Sequence, residues 1–149
     1  MKIADIIYDA TNAYDGIAVE IYVSGCFRKC FNCHNPELQD FSVGKDLDTL
    51  ELITDLSVHS KWFDVIAFLG GDLLCQDDYK AKELIKDVRA NFPEKHLYLF
   101  TGAELNEVPD WCFTYFDTIK YGKYIEELKQ EGFPSSSNQK VIKKGIDYE

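Results

Sequence analysis

Three cysteines fall within eight residues in the stretch Ser24-Gly25-Cys26-Phe27-Arg28-Lys29-Cys30-Phe31-Asn32-Cys33-His34-Asn35-Pro36. Thiolates are soft ligands. A curled loop with three and then two residues between them can turn all three sulfurs toward a soft metal or an iron-sulfur cluster. Gly25 before the first thiol and Pro36 after the last suit a tight, non-helical backbone. The spacing supplies three thiolates and no obvious fourth. A four-iron cubane held there keeps one iron open, which suits chemistry better than a closed structural clamp. Zinc is the competing reading, with His34 as fourth ligand beside the same cysteines. Cys75 and Cys112 read as small apolar residues rather than ligands.

The elements that must position this loop read as alternating strands and helices. Ile17 to Ser24 alternates Val19, Ile21 and Val23 with Ala18, Glu20 and Tyr22, the period of a strand, and delivers the cysteine loop at its carboxyl end. Asp48 with Glu51 three residues later resembles a capping box, and Leu50, Ile53 and Leu56 continue at helical spacing to about Val58. Asp64 to Leu69 is a short apolar run stopping at Gly70-Gly71, the pattern of a parallel strand covered on both faces. Ala81, Leu84, Ile85 and Val88 mark one helix face, with Asp77 and Asp78 at its start and Pro93 beyond its end. Leu97 to Thr101 predicts a third strand, Ala103 to Glu107 a helical turn, and Phe113 to Tyr121 a fourth strand. Together these predict an α/β fold with a mostly parallel sheet and its chemistry at the carboxyl edge. Gly70 and Gly71 lack a β-carbon, so backbone can approach a ligand closely there. The segment from Gly132 to Asn138 is rich in Ser, Gly and Pro and reads as a loop.

A chain of 149 residues fits one domain, 1–149, and is too short for a complete eight-unit barrel. Sixteen Lys and Arg against 26 Asp and Glu give a net charge of −10, which argues against tight non-specific binding to nucleic acid or an anionic membrane. The opening residues do not resemble a secretory signal, and no segment is apolar for long enough to span a bilayer. Five cysteines, an odd number with three crowded together, fit a reducing cytoplasmic compartment and metal use.

The cysteine loop resembles the cluster loop of the radical S-adenosylmethionine superfamily, and Cys33-His34-Asn35-Pro36-Glu37 resembles its glycyl-radical activases. Leu69-Gly70-Gly71-Asp72, Phe100-Thr101-Gly102 and Ser136-Ser137-Asn138-Gln139 are similar, in the same order, to the activase family of anaerobic ribonucleoside-triphosphate reductase. The resemblance implies an incomplete (β/α) radical SAM barrel, open on one side. It also implies a 4Fe-4S cluster on Cys26, Cys30 and Cys33, and S-adenosyl-L-methionine on the open iron. Asn32, Cys33 and His34 are then placed at the adenine, Gly70 and Gly71 at the methionine moiety, and Thr101 along the cofactor site. A β-branched residue at Gly70 or Gly71 is expected to crowd the methionine moiety and leave the cluster in place. The implied reaction is reductive cleavage of S-adenosylmethionine and formation of a glycyl radical on the reductase, fed by an electron donor such as flavodoxin. Asn32, Leu73, Tyr121 and Ala18 depart from the family pattern, which commonly carries an aromatic residue, a proline, an acid and an arginine there.

Overall fold

The computed structural model describes residues 1–11 and 14–149. Its strands are β1 (Lys2–Ala10), β2 (Ala18–Ser24), β3 (Lys45–Asp46), β4 (Val65–Gly70), β5 (His96–Phe100), β6 (Thr118–Tyr121) and β7 (Lys140–Lys143). Its helices are α1 (Thr49–Val58), α2 (Asp78–Asn91) and α3 (Asp110–Tyr115). The strands form one seven-stranded sheet in the order β3-β1-β2-β4-β5-β6-β7. Strands β2, β4, β5 and β6 run parallel, while β1, β3 and β7 are antiparallel to their neighbours. The sheet is mixed and does not close on itself.

Alternation along β2 decides which face the helices take. Val19, Ile21 and Val23 are fully buried and join Ile66, Phe68, Leu97, Leu99 and Ile119 in the main core. Helix α2 covers them with Ala81, Leu84, Ile85 and Val88, the four residues its periodicity marks. Asp77 caps that helix by accepting from the Lys80 N–H, which satisfies one of its orphan donors. Asp48 caps α1 in the same way, accepting from the Glu51 N–H. On α1 the expected Leu56 is fully buried and Ile53 packs half-buried against the core, but Leu52 enters it in place of Leu50, which stays exposed. Among the described residues the opposite sheet face carries a small cluster of Ala18, Val65, Ala67 and Tyr98, flanked by Ala10, Tyr14, Leu69 and Phe100.

Two expectations need correction. Residues 113–115 belong to helix α3, and the fourth parallel strand begins only at Thr118. Pro109 at the N-cap and Asp110 in the first turn start that helix, and burial of Trp111 and Cys112 holds it although Phe113, Thr114 and Tyr115 favour strands. The opening residues, for which no element is expected, form the edge-adjacent strand β1, with Ile6 opposite Ile21. The anticipated turn near 103–107 is a short 3-10 turn at Leu105–Glu107.

Candidate iron-sulfur site

The carboxyl ends of β4, β5 and β6, the second half of β1, Glu20 of β2 and the cysteine loop that follows β2 line one cavity of about 550 Å³. Cys26, Cys30, Cys33, His34, Gly70, Gly71 and Thr101 all line it. Asn32 does not: it is exposed and in the left-handed region at φ 54°. Lys29 is also left-handed, at φ 49°. Two such non-glycine residues curl the short loop sharply, at a cost in backbone strain that functional sites commonly carry.

Backbone contacts fix the loop's two ends. The Gly25 N–H donates to the Leu38 carbonyl at 2.8 Å and the Cys26 N–H to that of Gln39 at 3.3 Å. The Gln76 side chain donates to the carbonyls of Ser24 and Gly25 at 3.0 and 3.1 Å. A β-carbon at Gly71 would lie 2.6 to 2.7 Å from Gly25 and Leu38 backbone, closer than real side chains come. Gly70 sits at φ +107°, with the β2 backbone 3.0 Å from where its β-carbon would be. The glycine pair therefore serves backbone packing against the root of the cysteine loop. This corrects the expectation that a β-branched residue there would crowd only the cavity.

The middle of the loop is held by Arg28. Its Nε donates to Asp72 Oδ2 at 3.1 Å. Asp72 is buried and accepts in addition from the Thr101 hydroxyl at 3.0 Å, the Gly102 N–H at 2.8 Å and the Leu74 N–H at 2.9 Å. Thr101 thus spends its one hydroxyl proton inside this network rather than on the cavity. At the far end His34 packs on Tyr124, ring centroids 4.7 Å apart.

Beyond the cysteines, the wall is aromatic with a few charges. Glu20 accepts from Tyr14 at 2.6 Å and from Tyr22 at 3.0 Å. Burial, then that hydrogen bond, raises the Tyr14 phenol well above its ordinary range. The Lys120 ammonium lies 5.7 Å from the Phe100 ring centroid. Burial lowers its pKa to about 8, opposed by the charges of Asp72 and Cys30. The Ser136-Ser137-Asn138-Gln139 segment is folded rather than loose. The Gln139 side chain donates to the Gly122 carbonyl at 3.0 Å, Asn138 to that of Lys123 at 2.9 Å, and Ser136 is buried. Gln139 and Ser135 thereby line the cavity.

All five cysteines are free thiols. Cys112 is buried in the core, as its reading as a small apolar residue has it. Cys75 is not a core residue: its sulfur lies 4.0 Å from that of Cys26. That contact leads the lowering of the Cys26 pKa to about 7, whereas burial raises that of Cys30.

The spacing of sulfurs tests what the site fits. Among the described residues one trio of possible ligand atoms lies within 4.8 Å of one another, Cys26, Asp72 and Cys75. Both Asp72 oxygens are already taken by donors, one of them a guanidinium, so that trio does not suit a cation. The sulfurs of Cys26, Cys30 and Cys33 do not all lie within 4.8 Å of one another. One zinc with Zn–S bonds of ~2.3 Å would draw its thiolates to roughly 3.8 Å apart. Three spread thiols around a roomy cavity fit a multi-iron body, with space left for a ligand of nucleoside size. Sequence reasoning did not single out Arg28, Asp72 and Lys120, which line the cavity, or Gln76, which holds the root of the cysteine loop. The one available signal was the acid directly after Gly70-Gly71.

A cysteine triplet beside the carboxyl edge of an open α/β sheet suits an iron-sulfur protein, and similarity to known proteins shows that class. Residues 14–142 match the family described as a 4Fe-4S single cluster domain. The chain is 30% identical over 131 residues to the anaerobic ribonucleoside-triphosphate reductase-activating protein of Enterobacteria phage T4, covering 85% of this chain and 83% of the relative. It is 27% identical over 136 residues to the protein of that name from Vibrio cholerae, covering 85% and 87%. A shorter match, 32% over 68 residues, links it to the pyruvate formate-lyase-activating enzyme of Clostridium pasteurianum, covering 43% of this chain and 29% of that enzyme. The chain belongs to the family of anaerobic ribonucleoside-triphosphate reductase-activating proteins. No helix among the described residues is long and apolar enough to cross a membrane.

Proposed function

We propose that residues 1–149 form a single radical SAM activase domain, an incomplete (β/α) barrel open on one side, that generates a glycyl radical on anaerobic ribonucleoside-triphosphate reductase. The observation that carries the reading is the convergence of three cysteines and the carboxyl ends of β4, β5 and β6 on one cavity, in a chain of this family. Cys26, Cys30 and Cys33 hold the 4Fe-4S cluster. Cys33, His34, Gly70, Gly71 and Thr101 surround the bound S-adenosyl-L-methionine, and Asn32 acts only through the curl it gives the loop. When bound, cluster and S-adenosylmethionine supply one-electron reductive cleavage and a radical able to remove hydrogen from a glycine Cα. The chain's own residues bind and orient, as proteins do for cofactors that carry the hard chemistry. Gly71 lets the backbones of the strand end and the cysteine loop meet, and Arg28 ties the loop down. No residue is assigned as general acid or base.

The sheet face without helices leaves a way in for a protein segment, which suits a reductase rather than an enclosed small substrate. An electron donor such as flavodoxin in the cytoplasm completes the system. The match to the pyruvate formate-lyase-activating enzyme supports a second reading, in which another glycyl-radical enzyme is activated. The test is anaerobic reconstitution with iron, sulfide, reductant, S-adenosylmethionine and the reductase from the same source. The expected result is a glycyl-radical doublet by electron paramagnetic resonance that changes when the glycine Cα is deuterated. Cofactor cleavage with no radical on the reductase overturns the reductase assignment. Zinc without iron overturns the cluster.

A further inference from the structure

The Asp72 carboxylate lies within 4.8 Å of the Cys26 sulfur, and it is buried. A ligating thiolate and a carboxylate that close, away from water, repel one another strongly. Four donors nevertheless converge on Asp72: two backbone N–H groups, the Thr101 hydroxyl and the Arg28 guanidinium point at it. Arg28 stands between two of the loop cysteines in sequence, lines the same cavity, and has a side chain only 14% exposed. Its Cδ and Nε also fill the space above Gly102, where a β-carbon would lie 2.6 and 3.1 Å from them. The arrangement is a fixed anion beside a cysteine sulfur with a fixed cation placed against that anion.

We propose that Arg28 and Asp72 are a paired positioning and tuning element of the cluster. Arg28 anchors the loop to the ends of β4 and β5, and the two opposite charges hold the reduction potential between the values either charge alone would set. Reduction adds negative charge to the cluster. A nearby cation favours that step and a nearby anion opposes it, which makes local charge a determinant of iron-sulfur potentials. The pair differs from a purely structural latch in one respect. Breaking it from either side loosens the same loop, yet leaves charges of opposite sign behind. Arg28→Gln leaves an unpaired carboxylate beside Cys26, whereas Asp72→Asn leaves an unpaired guanidinium.

The experiment is a redox titration of the reconstituted cluster, without S-adenosylmethionine, followed by electron paramagnetic resonance. Relative to the unaltered protein, Arg28→Gln is expected to shift the midpoint downward and Asp72→Asn upward. The double variant Arg28→Gln/Asp72→Asn is expected to return toward the starting value although the latch is absent. Shifts of the same sign in the two single variants, or no shift in either, overturn the inference. If Arg28→Gln fails to retain iron, Arg28→Lys is titrated in its place. It keeps the charge while losing the planar fork, so a midpoint at the original value supports the inference and a downward shift overturns it. The inference rests on the cluster reading above, and the two fail differently. Absence of iron from the unaltered protein defeats that reading, whereas same-sign shifts in iron-replete variants defeat this one alone.

Discussion

The two faces of the sheet have been built for different purposes. On one, Val19, Ile21, Val23, Phe68 and Leu99 are completely buried beneath three helices. On the other, Glu20, Tyr14, Phe100 and Lys120 line a cavity, and the buried cluster consists of Ala18, Val65, Ala67 and Tyr98. Stability should therefore reside on the helix face and chemistry on the open one, joined at the glycine-rich strand ends. The comparison breaks if open-face changes unfold the protein, or if helix-face changes leave it folded and merely inactive.

The largest effects are expected from the two faces treated separately. Phe68→Ala or Phe116→Ala removes a fully buried ring and should cost about 3–5 kcal/mol, read by denaturant unfolding of the apo-protein. Cys26→Ala, Cys30→Ala and Cys33→Ala should each abolish cluster-dependent cofactor cleavage while shifting apo-protein stability by less than about 1 kcal/mol. Full cleavage activity in any one of these three removes that residue from the ligand set.

Gly71→Val tests the seam between the faces. The added side chain meets Gly25 and Leu38 backbone, which cannot swing aside as a flexible side chain would. It should destabilise the apo-protein by roughly 2–4 kcal/mol and also lower iron content, since the root of the cysteine loop must move. Loss of cofactor binding with normal iron content and normal stability would restore the view that this glycine faces only the ligand.

Lys120 gives a pH-dependent test confined to the open face. Its folded-state pKa, about 8 through burial, lies below the ordinary lysine value, so between those values the unfolded chain holds a proton that the folded chain has released. Apo-protein stability should rise with pH across that window, and below it the buried charge is a standing cost. Lys120→Met should raise stability at pH 7 by about 1–2 kcal/mol and flatten the rise above pH 8. An unchanged slope in thermal unfolding from pH 7.5 to 10 would mean that the ammonium is hydrated in the free protein.

What the sequence disclosed follows the same division. Cysteine spacing, apolar runs ending in glycine and the α2 stripe are local patterns, and each was legible. The Arg28–Asp72 pair joins residues 44 apart and has no local signature. Strand β1 was missed because its half-buried residues alternate with acids such as Asp5 and Asp9, and it gains its place only by pairing with β2. At Phe113-Thr114-Tyr115 the strand preference was real but lost to the helical start at Pro109 and the burial of Trp111. Leu50 fitted a helical repeat as well as Leu52 did, and only the sheet decides which one is covered.

The smallest predicted effect belongs to Cys75, the thiol nearest the cluster loop that the ligand set does not use. Its sulfur faces that of Cys26 at 4.0 Å, a distance for a weak S–H donor. Cys75→Ala should leave iron and sulfide content and cofactor cleavage intact, because three thiolates remain. Hydrogen bonds to ligating sulfur favour the reduced, more negative cluster, so losing this one should move the midpoint downward by less than Arg28→Gln does. A shift as large as that variant's would mean that the open-face charges are subordinate to the thiol. Loss of iron would make Cys75 a ligand and overturn the assignment of the triplet as the complete thiolate set.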